Sequence, residues 1–109
     1  MTSNAKVLME IDKIKRSIIE KYSPEKIILF GSYAYGRPNL ESDVDFLVVM
    51  QFKGRAVYKT IEILESVRPS LPVDLIVRTP EQIKRRLSQN DFFLREVFER
   101  GKVLYEASH

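Results

Sequence analysis

Two short apolar runs, residues 27–30 and 44–50, constrain the fold of this chain more than any other feature. Both are rich in the β-branched and aromatic residues that strands favour. Both also read as buried on two faces, since they are almost continuously apolar rather than alternating with polar residues. A strand of that kind lies in the middle of a sheet with other elements covering it. We therefore expect two central strands.

Helical patterns flank these strands. The first helix is predicted from apolar residues at helical spacing, which are Val7, Ile11, Ile14 and Ile18. It should end at Ser23-Pro24. A second amphipathic helix is predicted beyond Lys53-Gly54, with an apolar stripe of Val57, Ile61, Leu64 and Val67. A third apolar run, residues 73–77, predicts a further strand.

The last third of the chain carries clear start and stop signals. Thr79, Pro80 and Gln82 supply a cap, a first-turn proline and a capping-box partner, which together predict a helix start. A final helix over residues 91–100 should end at Gly101, and residues 102–105 fit an edge strand. Alternating helices and strands predict an α/β (α+β) fold, with helices packed on a small mixed sheet.

Length and composition narrow the function classes. At 109 residues the chain should form one domain, over 1–109, and 44% hydrophobic with 30% charged residues suits a soluble globular fold. No stretch approaches the roughly 18 apolar residues of a membrane helix. The absence of cysteine excludes disulfides and thiolate metal sites and agrees with a cytoplasmic protein. A net charge of +3 permits an anionic ligand without demanding direct nucleic-acid binding.

An acidic pair interrupts the start of the second apolar run. Asp43 and Asp45 are two residues apart, so their carboxylates project from the same face of a strand. Upstream, Gly31-Ser32 can form a turn whose backbone N–H groups meet a phosphate. Mg²⁺ takes carboxylate and phosphate oxygens together, so the combination suits phosphoryl or nucleotidyl transfer. The alternative is that Asp43 caps a turn and Asp45 lies in solvent.

Asp74 is the third candidate carboxylate, since it stands between apolar residues where an unpaired charge is costly. If its strand lies beside that of Asp45, the three carboxylates can form a site for two Mg²⁺ ions about 3.5–4 Å apart. The alternative is a carboxylate in a turn, paired with Arg68 or Arg78.

The Gly31-Ser32 turn has two separable roles. Gly31 allows a close backbone approach, and Ser32 can donate its hydroxyl and its N–H to a β- or γ-phosphate. Residues 32–35 could form a short helix whose N-terminus points at the strand end. An ordinary strand-to-helix turn with a serine cap would explain the same residues without a ligand.

The run Gly31-Ser32-Tyr33-Ala34-Tyr35-Gly36, followed by Ser42-Asp43-Val44-Asp45-Phe46, closely resembles the signature of minimal nucleotidyltransferases of the DNA polymerase β-like superfamily. The resemblance implies that superfamily's fold. It also implies metal binding by Asp43, Asp45 and Asp74, nucleotide contacts from Gly31 and Ser32, and transfer of a nucleoside monophosphate, usually AMP from ATP, to a hydroxyl with Mg²⁺.

The resemblance further implies a partner. Short members of this family are typically paired with a HEPN-domain toxin as its antitoxin, and some transfer AMP to a tyrosine of that toxin, so a hetero-oligomer is possible. A catalytically inactive antitoxin that acts by binding alone is the alternative. Tyr33 and Tyr35 stand where many relatives carry arginine, so two possible phosphate contacts are missing. Arg37 could compensate for them.

Overall fold

The computed structural model describes residues 4–36 and 43–108. The helices in this part of the chain are α1 (Asn4–Tyr22), α2 (Ala56–Val67), α3 (Pro80–Ser88) and α4 (Phe92–Arg100). Its strands are β1 (Lys26–Phe30), β2 (Val44–Val49), β3 (Val73–Arg78) and β4 (Lys102–Glu106). The predicted alternation of helices and strands is therefore confirmed.

The four strands form one mixed sheet in the order β3-β2-β1-β4. β1 pairs antiparallel with both β2 and β4, while β2 and β3 run parallel. The two continuous apolar runs occupy the two central positions, as their burial pattern predicted, and β3 and β4 are the two edge strands. The α+β fold with a small mixed sheet is confirmed.

Helices cover both faces of the sheet. The first face packs on α1 and α2 around Phe46, whose side chain is fully buried. The second face packs on α3 and α4, where Leu47 of β2 meets Leu94 and Val97 of α4. Because strand side chains alternate, Asp45 belongs to the second face, at the start of β2. This placement sets the position of the candidate site.

The predicted helix signals of α3 and α4 are confirmed. The N–H of Gln82 donates to Thr79 Oγ1 at 3.1 Å, and the N–H of Thr79 donates to Gln82 Oε1 at 3.0 Å, which completes the capping box. α4 ends before Gly101, where a Cβ would collide with the carbonyl oxygen of Val97 and the side chain of Ile28. The glycine lets the chain turn tightly from α4 onto the sheet.

The predicted apolar stripe of α2 is wrong in part. Val57 and Ile61 are exposed, whereas Ile63 is the residue that α2 buries against the sheet, with Leu64 and Val67 half-buried. The helix is rotated so that a different line of residues contacts the first face. Helical periodicity alone did not distinguish between these two apolar lines, because both have the right spacing.

No helix in residues 4–36 and 43–108 combines the length and the apolar character needed to cross a bilayer.

Candidate active site

The strand register brings two of the predicted carboxylates side by side. In the parallel ladder between β2 and β3, Asp45 lies opposite Asp74. Paired residues on neighbouring strands project from the same face, with their strands about 4.8 Å apart. Asp43 lies one residue before β2, two residues from Asp45, and the strand alternation continued to it gives the same face. The three acidic residues therefore meet at one end of the sheet.

The surroundings of Asp45, the central carboxyl of the three, raise its pKa. The pKa of Asp45 is raised from its ordinary 3.8 to about 6, first by burial and then by the negative charges of Asp74 and Asp43. Within the described residues, none of the three forms an ion pair. The alternative pairing of Asp74 with Arg78 is not formed, and the Arg78 guanidinium instead donates to the carbonyl of Val77 at 2.8 Å. Neither does Asp74 pair with Arg68.

The turn after β1 borders this cluster. Phe30, the last residue of β1, lies opposite Asp45 in the antiparallel ladder, and Gly31 follows with a φ of +75°. A Cβ at Gly31 would collide with Oδ2 of Asp45, so the carboxylate packs directly against the glycine backbone. Only glycine accommodates both this φ and this contact. Gly31 was predicted to allow a close approach to its backbone, and the group that approaches is the Asp45 carboxylate.

The predicted short helix over residues 32–35 is wrong. The N–H groups of Ala34 and Tyr35 both donate to the carbonyl oxygen of Gly31 at 3.0 Å, which makes residues 32–36 a hydrogen-bonded turn. Ser32 is half-buried at the start of this turn, next to the glycine that contacts Asp45. Its contact with phosphate stays a prediction. Ser42 and Arg37, which the sequence singled out, lie outside the described residues.

Carboxylate oxygens are the donors that Mg²⁺ prefers, and three of them at one strand end suit that cation chemically. Burial and then mutual repulsion raise the pKa of Asp45, and a divalent cation would offset that repulsion. Within residues 4–36 and 43–108, no three acidic, histidine or cysteine side chains are already positioned to hold one metal ion together. The donor set fits Mg²⁺, and both the metal and the count of two ions stay predictions.

Sequence analysis missed the aromatic and basic residues around the cluster. Phe93 of α4 packs edge-to-face on Phe30, with ring centroids 5.5 Å apart. Arg100 of α4 lies over the ring of Tyr35, with its guanidinium carbon 4.2 Å from the ring centroid. Phe30 could have been found from its place directly before Gly31. Nothing in the sequence relates Arg100 to the turn, because the two are brought together only by the packing of α4.

Two surface grooves lie away from the carboxylates. One, of about 660 Å³, runs along α1 and includes Met9 and Ser70. The other, of about 430 Å³, lies between α3 and α4 and includes Ile83 and Phe98. Neither contains Asp43, Asp45 or Asp74, so the candidate site is identified by strand register and charge.

Comparison with known proteins agrees with this arrangement. Residues 11–104 match the nucleotidyltransferase domain family. A protein of Methanocaldococcus jannaschii, named as a candidate protein adenylyltransferase, is 36% identical over 81 residues, covering 74% of this chain and 78% of the relative. A second protein of that organism with the same kind of name is 37% identical over 81 residues, covering 67% of this chain and 80% of the relative. With most of its length matched, this chain belongs to the nucleotidyltransferase domain family.

Proposed function

We propose that this protein is a Mg²⁺-dependent protein adenylyltransferase that transfers AMP from ATP to a hydroxyl group. The observation that carries the proposal is the meeting of Asp43, Asp45 and Asp74 at one end of the sheet, against the Gly31 turn. The names of the two Methanocaldococcus jannaschii relatives, both candidate protein adenylyltransferases, support a protein as the acceptor.

In the proposed reaction the acceptor hydroxyl oxygen attacks the α-phosphorus of ATP. A new P–O bond forms, the bond from the α-phosphorus to the bridging oxygen breaks, and pyrophosphate leaves. Bound Mg²⁺ would supply charge neutralisation on the phosphates. Asp43 and Asp45 would hold the metal, and Asp74, exposed beside them, would accept the proton that the hydroxyl loses as its oxygen bonds to phosphorus. Gly31 and Ser32 would orient the triphosphate through backbone N–H groups and the serine hydroxyl.

The proposed acceptor is a tyrosine of a HEPN-domain toxin, with this protein as the antitoxin. This part of the proposal rests on the family resemblance of residues 31–36 and 42–46. A second candidate function, neutralisation of the toxin by binding alone, is favoured by one observation. Among the described residues, no three acidic side chains are positioned to hold one metal ion together.

The test is transfer of label to the partner from ATP. Label on the α-phosphate should appear in the toxin and label on the γ-phosphate should not, because AMP carries only the α-phosphorus. Asp45→Asn and Asp74→Asn should abolish most of the transfer. Glu65→Gln, an exposed acid-to-amide change on α2, is the matched control and should leave transfer unchanged. If Asp45→Asn transferred as much label as the wild type does, the proposal would be contradicted.

Neutralisation in cells separates the two candidate functions. If catalysis neutralises the toxin, co-expressed Asp43→Ala should fail to rescue growth although it still binds the toxin. If binding alone is sufficient, Asp43→Ala should rescue growth as well as the wild type does.

A further inference from the structure

Arg100, the last residue of α4, is held at the rim of the candidate site by an aromatic ring. Its guanidinium carbon lies 4.2 Å from the centroid of Tyr35, a distance typical of a cation stacked on a ring face. The backbone N–H of Tyr35 donates to the carbonyl oxygen of Gly31 at 3.0 Å. Gly31 in turn lies against the carboxylate of Asp45. Arg100 is therefore attached to the same turn that borders the acidic cluster.

The guanidinium keeps the geometry needed to bind an anion. Its Nη1 donates to Glu96 Oε1 at 2.9 Å in an exposed ion pair, which uses one of the five N–H donors of arginine and, in solvent, offsets its charge only weakly. Stacking occupies a face of the planar group, whereas its hydrogen-bond donors point outward from the edge. The Arg100 side chain is 58% exposed, so a ligand at the turn can reach that edge.

We propose that Arg100 binds the β- or γ-phosphate of ATP, with Tyr35 as the residue that positions it; this inference rests on the proposed function. The acidic cluster repels a triphosphate, so a nucleotide at this turn needs positive charge from the protein as well as from a metal. Arg100 supplies such a charge from α4. A planar guanidinium binds two phosphate oxygens at once, which suits the end of a triphosphate.

The opposing interpretation is that Arg100 only attaches α4 to the turn. The two interpretations differ in which nucleotide is affected. A phosphate contact beyond the α-phosphate strengthens ATP binding and leaves AMP binding nearly unchanged, because AMP lacks the β- and γ-phosphates. A purely structural contact would alter the turn for both nucleotides alike.

The experiment measures the dissociation constants of ATP and AMP with the full chain by calorimetry, at fixed Mg²⁺. Arg100→Met, which keeps an unbranched apolar stem and removes the charged guanidinium, should weaken ATP binding about tenfold and AMP binding less than twofold. Arg95→Met, the same change at an exposed position of α4, is the matched control and should bind both nucleotides as the wild type does. Tyr35→Phe should retain tight ATP binding and Tyr35→Leu should lose part of it.

Each other outcome has a definite meaning. ATP binding by Arg100→Met within twofold of the wild type overturns the assignment of Arg100, while transfer of AMP by the wild type leaves the proposed function intact. Equal weakening of ATP and AMP, with a lower melting temperature, supports the structural interpretation instead. A wild-type protein that fails to bind ATP overturns the proposed function and this inference together.

Discussion

The face of β2 that packs on α1 and α2 is apolar along its whole length, whereas the face that packs on α3 and α4 becomes apolar only beyond Asp45. The first face stabilises the fold through burial. The second keeps a partly buried carboxylate beside Asp74 and against Gly31, an arrangement that raises its pKa and lowers stability at neutral pH. A cost of this kind on an otherwise apolar strand is typical of functional sites.

Removing the central side chain of the apolar face should have the largest effect. Phe46 is fully buried, so Phe46→Ala should reduce the free energy of unfolding by about 3–5 kcal/mol through lost burial and a cavity. Urea denaturation followed by circular dichroism measures the change. Phe92→Ala, at a side chain 80% exposed, is the matched control and should change stability by less than about 0.5 kcal/mol. Similar losses in both variants would contradict the proposed role of this face.

A methyl group at the turn should disturb the acidic face. Gly31→Ala should lower the free energy of unfolding by about 1–3 kcal/mol, because alanine is strained at a φ of +75° and its Cβ would collide with Asp45. Gly54→Ala is the control, since Gly54 has a φ of +85° and open space around it. Thermal denaturation should show a larger loss for Gly31→Ala. Equal losses would mean that the contact with Asp45 costs nothing to displace.

Neutralising the central carboxylate should increase stability. The folded-state pKa of Asp45 lies above its ordinary 3.8, so the stability given by its bound proton is present below about pH 4 and is lost as the pH rises through about 6. Asp45→Asn should therefore be more stable than the wild type by about 1 kcal/mol at pH 7.5, after allowance for solvent screening. The difference should vanish near pH 4.

Denaturation of both proteins across this pH range, without metal or nucleotide, measures that difference. Glu65→Gln, at an exposed position of α2, should track the wild type throughout. An Asp45→Asn variant that is less stable than the wild type at pH 7.5 would show that the carboxylate stabilises the fold, contrary to this account.

The smallest effect concerns Asp74. Burial is the largest cause of the raised pKa of Asp45, and the charge of Asp74 comes second. In Asp74→Asn, the pKa of Asp45 should fall only part of the way from about 6 to its ordinary value of 3.8. Carboxyl NMR titration measures it. A return to the ordinary value would make the charge of Asp74 the main cause, and no change would mean that the two carboxylates do not interact.

Much of the fold could be predicted from sequence because the signals were local. The continuous apolar runs predicted the central strands, and Thr79 with Gln82 predicted the start of α3. The face of α2 could not be chosen in this way, since Ile61 and Ile63 each belong to an acceptable helical stripe and only packing selects Ile63.

The candidate site, like the fold, could be predicted from the sequence only in part. The spacing of Asp43 and Asp45 placed both on one face, and the prediction for Asp74 depended on strand order, which the parallel pairing of β2 and β3 supplies. The contact of Arg100 with Tyr35 was not predictable, because it depends on how α4 crosses the sheet. Interactions between distant segments leave no local pattern in the sequence.

The most direct test of the central claim is the melting temperature of the wild type and Asp45→Asn at pH 7.5, each with and without Mg²⁺ and ATP. Without ligands the variant should melt at the higher temperature, because it lacks a carboxylate that is partly buried and repelled by its acidic neighbours. With both ligands the order should reverse, because a cation held by the carboxylates stabilises only the wild type. An equal ligand-induced increase in the two proteins would contradict the claim that Asp45 holds the metal for nucleotide binding.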